Sequence, residues 1–197
     1  TRFRDEHISD NLITWTPAWN EALREDRHIF TACATWSVKF SIESSDPQQK
    51  NLGRWGLMSA PEGNANLGGT SMGITKTCKD KRLAWEFLKF ATLSTEGART
   101  LNSMGLMTTA KKPYEEDPSL KSYKSRWFGN QDLGIYYMDH IIPSIKTRTL
   151  TSQDGVIHEC LWMILNALNR DGNLSSEEAE ELLREELQKE LKDITVY

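Results

Sequence analysis

The sequence has few cysteines and lacks the motifs that mark common catalytic centres. Its three cysteines, Cys33, Cys78 and Cys160, form no C-x-x-C pair and lie too far apart for a recognisable zinc motif. Its four histidines form no H-E-x-x-H pattern, and no serine lies in a G-x-S-x-G motif. We therefore expect no metal site, no cofactor and no catalytic residue. A cytosolic α/β enzyme that uses a cysteine or a histidine stays open as an alternative.

The chain also lacks an excess of basic residues and a long apolar run. Lysine and arginine number 24 against 28 aspartates and glutamates, which gives a net charge of −4. Because no basic stripe is present to neutralise phosphates, the composition argues against nucleic acid and against an anionic membrane surface as partners. No apolar run reaches the roughly 18 residues that a membrane-spanning helix needs. The ligand is therefore expected to be uncharged or small.

Two glycine-containing stretches resemble binding loops but lack an essential group. The stretch 63–70 has the spacing of a phosphate-binding loop, yet Gly69 stands where the phosphate-reaching lysine is required. A calcium loop ending at Glu178 would take its first ligand from Ala167, whose side chain has no oxygen. We expect the glycine pair to allow a close approach of the backbone, and Gly172 to turn the chain between two helices.

Helical periodicity is the main local signal that is present. Asp80, Ser94 and the capping-box pair Ser175 and Glu178 each precede an apolar stripe at helical spacing. The sequence predicts helices from about Thr16, from 80, from 94 to 105, over 135–147, over 153–169 and from 175. It predicts short strands over 28–36, 54–61 and 70–74, and i,i+4 ion pairs Glu180/Arg184 and Glu185/Lys189 on the last helix.

Seven tryptophans are the remaining excess in the composition. An aromatic ring can stack on the apolar C–H face of a sugar, while nearby polar side chains bind the hydroxyls. Tryptophan together with Asn, Gln, Asp and Glu in loops is therefore typical of a carbohydrate site, although most tryptophans in proteins belong to the core.

Four segments, taken in order, resemble the bacterial extracellular solute-binding proteins of carbohydrate ABC importers, the maltose-binding-protein-like group. They are ALREDRHIFTACATW at 22–36, the stretch from LMSAPEGNANLGGTSMGITK to AWEFLKFATLSTEGARTL at 57–101, RWFGNQD at 126–132, and ECLWMILNALNRDGNLSSEEAEELL at 159–183. The chain departs from the family pattern in three places: Asp26 replaces a usual glycine, Ile29 and Phe30 lie where the family usually has small residues, and Gly129 with Asn130 replaces a glycine pair.

The resemblance implies an α/β fold, namely the C-terminal lobe of a two-lobed, type II periplasmic-binding-protein-like fold with a helix-rich C-terminus. It divides the chain into residues 1–71 of the ligand-binding lobe, a crossover strand and helix pair at 72–107, and loop and helices of the same lobe at 108–197. In the family the crossover packs on an N-terminal lobe that this chain does not match. We therefore expect the helix face of Leu83, Phe87 and Leu88 to become buried against another surface, for example by self-association.

The implied function is capture of a sugar or oligosaccharide by hinge closure, without catalysis, for delivery to a membrane permease. The implied location is the periplasm or, as a lipid-anchored protein, the outer face of the cytoplasmic membrane. Trp36 is the predicted stacking ring, and the further ligand-binding residues implied are Gly68, Gly69, Thr70, Trp127, Gln131, Asp132 and Glu159. An interaction module that uses the acidic helix of residues 175–197 is a second alternative.

Overall fold

A computed structural model describes residues 2–10, 12–25, 27–66, 69–147, 149–170 and 172–191. The chain divides into two compact units, residues 14–146 and residues 1–13 together with 147–197. This division does not test the predicted boundaries at 71 and 107, which stay a prediction.

Helices make up the regular structure of both units. The α-helices are α1 Arg2–Asp5, α2 Pro17–Arg24, α3 Thr35–Ser37, α4 Lys81–Leu93, α5 Thr95–Ser103, α6 Lys112–Glu116, α7 Leu133–Tyr136, α8 Asp154–Arg170 and α9 Ser176–Glu190. Single π-helical turns continue α3 over Val38–Glu43 and α7 over Tyr137–Ile141, and 3₁₀ turns cover Pro118–Lys121, Arg126–Phe128 and Ile142–Ser144.

The predicted helix starts are confirmed at the level of single hydrogen bonds. The hydroxyl of Thr16 accepts from the backbone N–H of the third helical residue of α2, and Asp80 and Ser94 do the same for α4 and α5. Ser175 and Glu178 form the predicted capping box at the start of α9. Each cap satisfies a backbone N–H that has no partner inside its helix.

The three predicted strands are absent from the described residues. Residues 29–34 have no regular structure, and the chain becomes helical at Thr35. Residues 54–60 and 69–75 are likewise without regular structure, and the only β-bridge within the described part joins Lys124 and Asp132. A strand needs a neighbouring strand for its N–H and C=O groups, and Ile29 is 99% exposed rather than packed on a sheet. The structure therefore does not confirm the α/β class.

One predicted helix is interrupted. The expected helix over 135–147 is divided into α7, a π-helical turn and a 3₁₀ turn that ends at Ser144. Pro143 lies in that last turn. Because proline has no N–H to donate and clashes with the preceding turn, a regular helix cannot continue through it.

The core of residues 14–146 lies where the two π-helical turns pack together with residues 122–134. Its buried residues are Val38, Ile42, Leu57, Phe128, Leu133, Tyr137 and Ile141. Trp55, Trp127 and Tyr123 are partly buried against this cluster. The core is thus assembled from segments far apart in sequence, and most of them are not regular helices.

Helices α4 and α5 adjoin in sequence but differ in burial. Helix α5 buries Thr95, Gly97 and Ala98, and an added Cβ at Gly97 would meet the backbone at the end of α4. Helix α4 buries no residue at all, and Leu83 on it is 66% exposed. Of the apolar face predicted for α4, Leu83 and Phe87 are therefore exposed, whereas Leu88 is partly buried.

Helices α8 and α9 pack against each other in the other unit. They bury Cys160 and Ile164 of α8 and Ala179 of α9. The ion pairs on α9 have a different spacing from that predicted: Arg184 binds Glu181 at 2.5 Å, and Lys189 binds Glu186 at 2.5 Å, both i,i+3. Among the helices described in both units, none has the length and apolar character to cross a membrane.

Candidate functional site

Trp36 lies in a cluster of three tryptophans. It is half-buried on the short helix α3, not at a strand end, and its ring stacks on Trp15 with centroids 5.6 Å apart and an interplanar angle of 22°. Trp15 also contacts Trp19 of α2, with centroids 5.4 Å apart and rings tilted by 52°. Sequence analysis selected Trp36 but did not connect it with Trp15 or Trp19.

The glycine pair contributes an open stretch of backbone. Gly69 has φ +121°, a region that side-chain-bearing residues rarely adopt, and an added Cβ there would have no atom within 4 Å. Thr70 is exposed. Gly68, predicted with them, lies outside the described residues. The backbone at Gly69 is therefore accessible, and its predicted ligand role stays a prediction.

Trp127, Gln131 and Asp132 lie in one segment, residues 122–134, which we call the 122–134 loop. Groups of this loop form hydrogen bonds with every second residue of the segment 53–57. The N–H of Gly53 donates to Arg126 O at 2.9 Å, and the N–H of Trp55 donates to Trp127 O at 3.0 Å. This alternation is what an edge strand would show, although the partner here is a 3₁₀ turn.

Gln131 supplies the next step of the same pairing through its side chain. The N–H of Leu57 donates to its Oε1 at 2.7 Å, and its Nε2 donates to Leu57 O at 2.7 Å. The amide thus satisfies both backbone groups of a buried residue, as a neighbouring strand would. In this conformation the Gln131 side chain holds the fold together.

The ring of Trp127 is fixed by a buried carboxylate that sequence analysis did not select. Its Nε1 donates to Asp46 Oδ2 at 3.0 Å, and Asp46 also accepts from the N–H groups of Lys50 at 3.0 Å and Asn51 at 2.8 Å. Burial alone would raise the pKa of Asp46, but these hydrogen bonds outweigh it and the pKa lies below its usual value. The D-P-Q-Q-K-N sequence, with Asp before proline, is the signal that could have indicated this turn.

Asp132 closes the loop and begins α7. Its Oδ1 accepts from the N–H of Tyr123 at 3.1 Å and of Ile135 at 3.2 Å, and its Oδ2 accepts from the hydroxyl of Ser122 at 2.5 Å. Burial opposes ionisation, yet these donors keep the pKa of Asp132 below its usual value. The carboxylate is therefore negatively charged at neutral pH, with both oxygens bonded within the loop.

Glu159 is exposed on α8, in the unit of residues 1–13 and 147–197. The other described candidates belong to residues 14–146. Within residues 14–146, Trp36 belongs to the tryptophan cluster and three candidates belong to the 122–134 loop. Gly69 and Thr70 are exposed and belong to neither set.

Two of the three thiols, those of Cys33 and Cys160, have surroundings that disfavour nucleophilic chemistry. Burial raises the pKa of the Cys33 thiol, whose neighbour Tyr137 donates its hydroxyl to Cys33 O at 3.2 Å. Burial, and then the negative charges of Glu190, Glu186 and Glu159, raise the pKa of the Cys160 thiol. A thiolate is the reactive form, so these raised pKa values argue against Cys33 and Cys160 as nucleophiles. In the part of the chain that the structure describes, no group of three or more His, Cys, Asp or Glu side chains could hold a metal ion.

Comparison with protein families assigns the chain to a class. Residues 6–126 match the family of bacterial extracellular solute-binding proteins. The match covers more than half of the 197 residues, and the chain belongs to this family. The matched range includes Trp36, Gly69 and Thr70 and ends before Trp127. Curated proteins and solved structures gave no match. Membership implies a solute as ligand and, in general, an ABC permease as partner.

Proposed function

We propose that this chain is the carbohydrate-binding component of an ABC importer and that it captures a sugar or oligosaccharide without catalysis. The observation that carries the proposal is the tryptophan cluster around Trp36, which gathers three of the seven indoles at one place outside the core. One ring of this cluster, Trp15, is exposed, and an accessible aromatic face suits the flat apolar face of a pyranose ring.

The polar part of the proposed site has few accessible groups. Gly69 and Thr70 offer accessible backbone and hydroxyl groups. In this conformation the polar groups of Trp127, Gln131 and Asp132 form hydrogen bonds within the protein. We therefore propose that these residues shape the site through the 122–134 loop. Glu159 remains proposed as a ligand-binding residue.

Hinge closure is the proposed mechanism. A ligand that bridges two lobes selects the closed form, and the closed form is what the permease recognises. Binding outside the cytoplasmic membrane, in the periplasm or on a lipid anchor, belongs to the same proposal. A single lobe cannot close over its ligand, so we expect millimolar rather than micromolar affinity for this chain alone.

The exposed face of α4 fits a two-lobed protein. Leu83 is 66% and Phe87 60% exposed, and we propose that a second lobe covers them in the two-lobed receptor. Until covered, this face should promote self-association. Sedimentation at increasing concentration should show oligomers that Leu83→Glu removes and that Leu150→Glu, at a 69% exposed leucine elsewhere, leaves in place. A strictly monomeric wild-type chain would contradict this proposal.

The direct test of function is a titration with neutral sugars, read by calorimetry. Trp36→Ala should weaken binding by about 1–3 kcal/mol, the range for loss of an aromatic anchor, with limited loss of stability. Trp55→Ala is the matched control, because Trp55 packs against the core and its loss should lower stability instead. Failure of the wild-type chain to bind any sugar at millimolar concentration would refute the carbohydrate assignment.

A further inference from the structure

The most accessible ring of the tryptophan cluster is not Trp36. Trp15 is 53% exposed, whereas Trp36 and Trp19 are more deeply buried. Trp15 lies over Trp36 with near-parallel rings, so it covers part of one face of that indole. A ligand that approaches this place from solvent therefore meets the ring of Trp15.

The backbone at Trp15 holds the ring in an unusual conformation. Its φ is +69°, in the left-handed region, where a bulky residue is a true outlier. Such conformations persist only where the surroundings impose them, and they are concentrated at functional sites. Here the surroundings are well defined. Thr16, the next residue, caps α2 by accepting from the N–H of Trp19 at 3.3 Å, and the rings of Trp19 and Trp36 both contact Trp15.

We propose that Trp15 presents the ring on which the sugar stacks and that Trp36 is the positioning residue that holds this ring in place. The inference rests on the proposed carbohydrate function and names the contacting residue within it. Stacking of the two indoles limits the rotamers of Trp15, so its free face is fixed before the ligand arrives. Preorganisation of this kind reduces the entropy lost on binding.

The competing explanation is structural. An apolar residue just before the N-cap can pack on the first turn of a helix, and the contact of Trp15 with Trp19 has this form. A structural contact of this type requires an apolar side chain of suitable size, whereas sugar stacking requires an aromatic face. The two explanations therefore predict different outcomes for aliphatic and aromatic replacements.

The experiment compares Trp15→Leu, Trp15→Phe and Trp85→Leu in the full chain. Trp85 is 52% exposed on α4 and gives a control of equal exposure away from the cluster. Ligand-observed NMR titrations with methyl β-D-glucopyranoside, maltose and cellobiose at millimolar concentration report affinity, and thermal unfolding reports stability. We expect Trp15→Leu to weaken binding about tenfold, Trp15→Phe to retain most of it, and Trp85→Leu to bind as the wild type does.

Trp36 as a positioning residue has its own readout. Trp36→Leu should abolish the coupled circular-dichroism signal of the two stacked indoles and weaken binding, and Trp36→Phe should restore much of the affinity. If Trp36→Leu removes the signal and leaves affinity unchanged, the positioning role is wrong.

The outcomes separate this inference from the proposed function. If Trp15→Leu binds sugar as the wild type does, the role of Trp15 alone is overturned. The same holds if the loss of affinity is explained by the loss of stability that the melting temperature reports. Equal loss in Trp15→Leu and Trp15→Phe also overturns it, because an aromatic face would then not be the requirement. A wild-type chain that binds none of the sugars refutes the carbohydrate function, and adenosine binding as tight as sugar binding would show a platform for any flat ligand instead.

Discussion

The 122–134 loop and the α8–α9 helix pair are ordered by different kinds of interaction. The loop has little regular structure, yet it is held by hydrogen bonds to residues more than 70 positions away, such as those between Gln131 and Leu57. The helix pair is regular, and the start of α9 is fixed by hydrogen bonds between Ser175 and Glu178, which are three residues apart. The loop therefore depends on tertiary packing, whereas the helix pair depends largely on its local sequence.

The first and largest prediction tests this difference with two glycines. An added Cβ at Gly134 would collide with the carbonyl oxygen of Lys121 and lie 2.7 Å from the backbone nitrogen of Tyr123. Because backbone cannot move aside cheaply, we expect Gly134→Ala to reduce the free energy of unfolding by about 3 kcal/mol. Gly155 in α8 has no atom within 4 Å of an added Cβ. Gly155→Ala should therefore leave stability unchanged or raise it by up to about 0.5 kcal/mol.

Urea unfolding followed by circular dichroism measures both glycine variants. Near-neutral behaviour of Gly134→Ala would mean that the loop yields easily and that its contacts do not define it. A large loss in Gly155→Ala would mean that the helix pair has close packing at its N-terminus that the structure does not show.

The same difference explains what could be predicted from the sequence. The helix start at about Thr16 and the caps at Asp80, Ser94 and Ser175 follow from short-range rules, and all are confirmed. Residues 54–57 were predicted as part of a strand, and the bonds at alternate residues of the segment 53–57 resemble one, but the partner is the 122–134 loop with the side chain of Gln131. No local pattern indicates such a partner, because the pairing is decided by how distant segments meet.

The candidate site shows the same limit. The sequence singled out Trp36, but the stacking of Trp15 on it joins residues 21 positions apart through a turn with positive φ. Asp46, which fixes Trp127, was not predicted because a buried carboxylate is recognised only by the donors around it. Side-chain identity could be read from the sequence, whereas the positions of these side chains relative to one another could not.

The second prediction concerns the carboxylate that anchors the loop. Asp46→Asn replaces one acceptor oxygen by an NH₂ group that faces N–H donors, so at least one buried hydrogen bond is lost. We expect a loss of about 1–3 kcal/mol at neutral pH, measured by urea unfolding. Asp139→Asn, at an exposed acid of the same unit, is the control and should change stability little.

The pH dependence of the Asp46 variant gives an independent check. The folded pKa of Asp46 is below the unfolded value of about 3.9. Its stabilising contribution is therefore fully present above about pH 4 and is lost as the pH falls through the folded pKa. The difference between wild type and Asp46→Asn should shrink over that acidic interval. A difference that stays constant down to the folded pKa would contradict the assigned ionisation.

The third prediction weakens a local contact in the helix pair. Ser175→Ala removes the side chain that accepts from the N–H of Glu178 at 3.2 Å. The expected loss is about 1 kcal/mol, smaller than the effects in the loop, and it should appear as fraying of α9 in hydrogen exchange. Ser176→Ala, one residue into the helix, serves as the control and should leave exchange unchanged. Equal effects of the two substitutions would show that the capping box does not stabilise the helix.

The last and smallest prediction concerns the surface of α9, where sequence and structure disagree by one residue. The sequence favours Glu180 as the partner of Arg184, whereas the structure pairs Arg184 with Glu181 at 2.5 Å. Both members are more than one-third exposed, so solvent screens the pair, and we expect a coupling energy of only about 0.3–0.5 kcal/mol. Two double-mutant cycles, Glu181→Ala with Arg184→Ala and Glu180→Ala with Arg184→Ala, measure the coupling at low salt. Coupling confined to the first cycle supports the i,i+3 pair, and coupling in the second alone would show that the local rule was right after all.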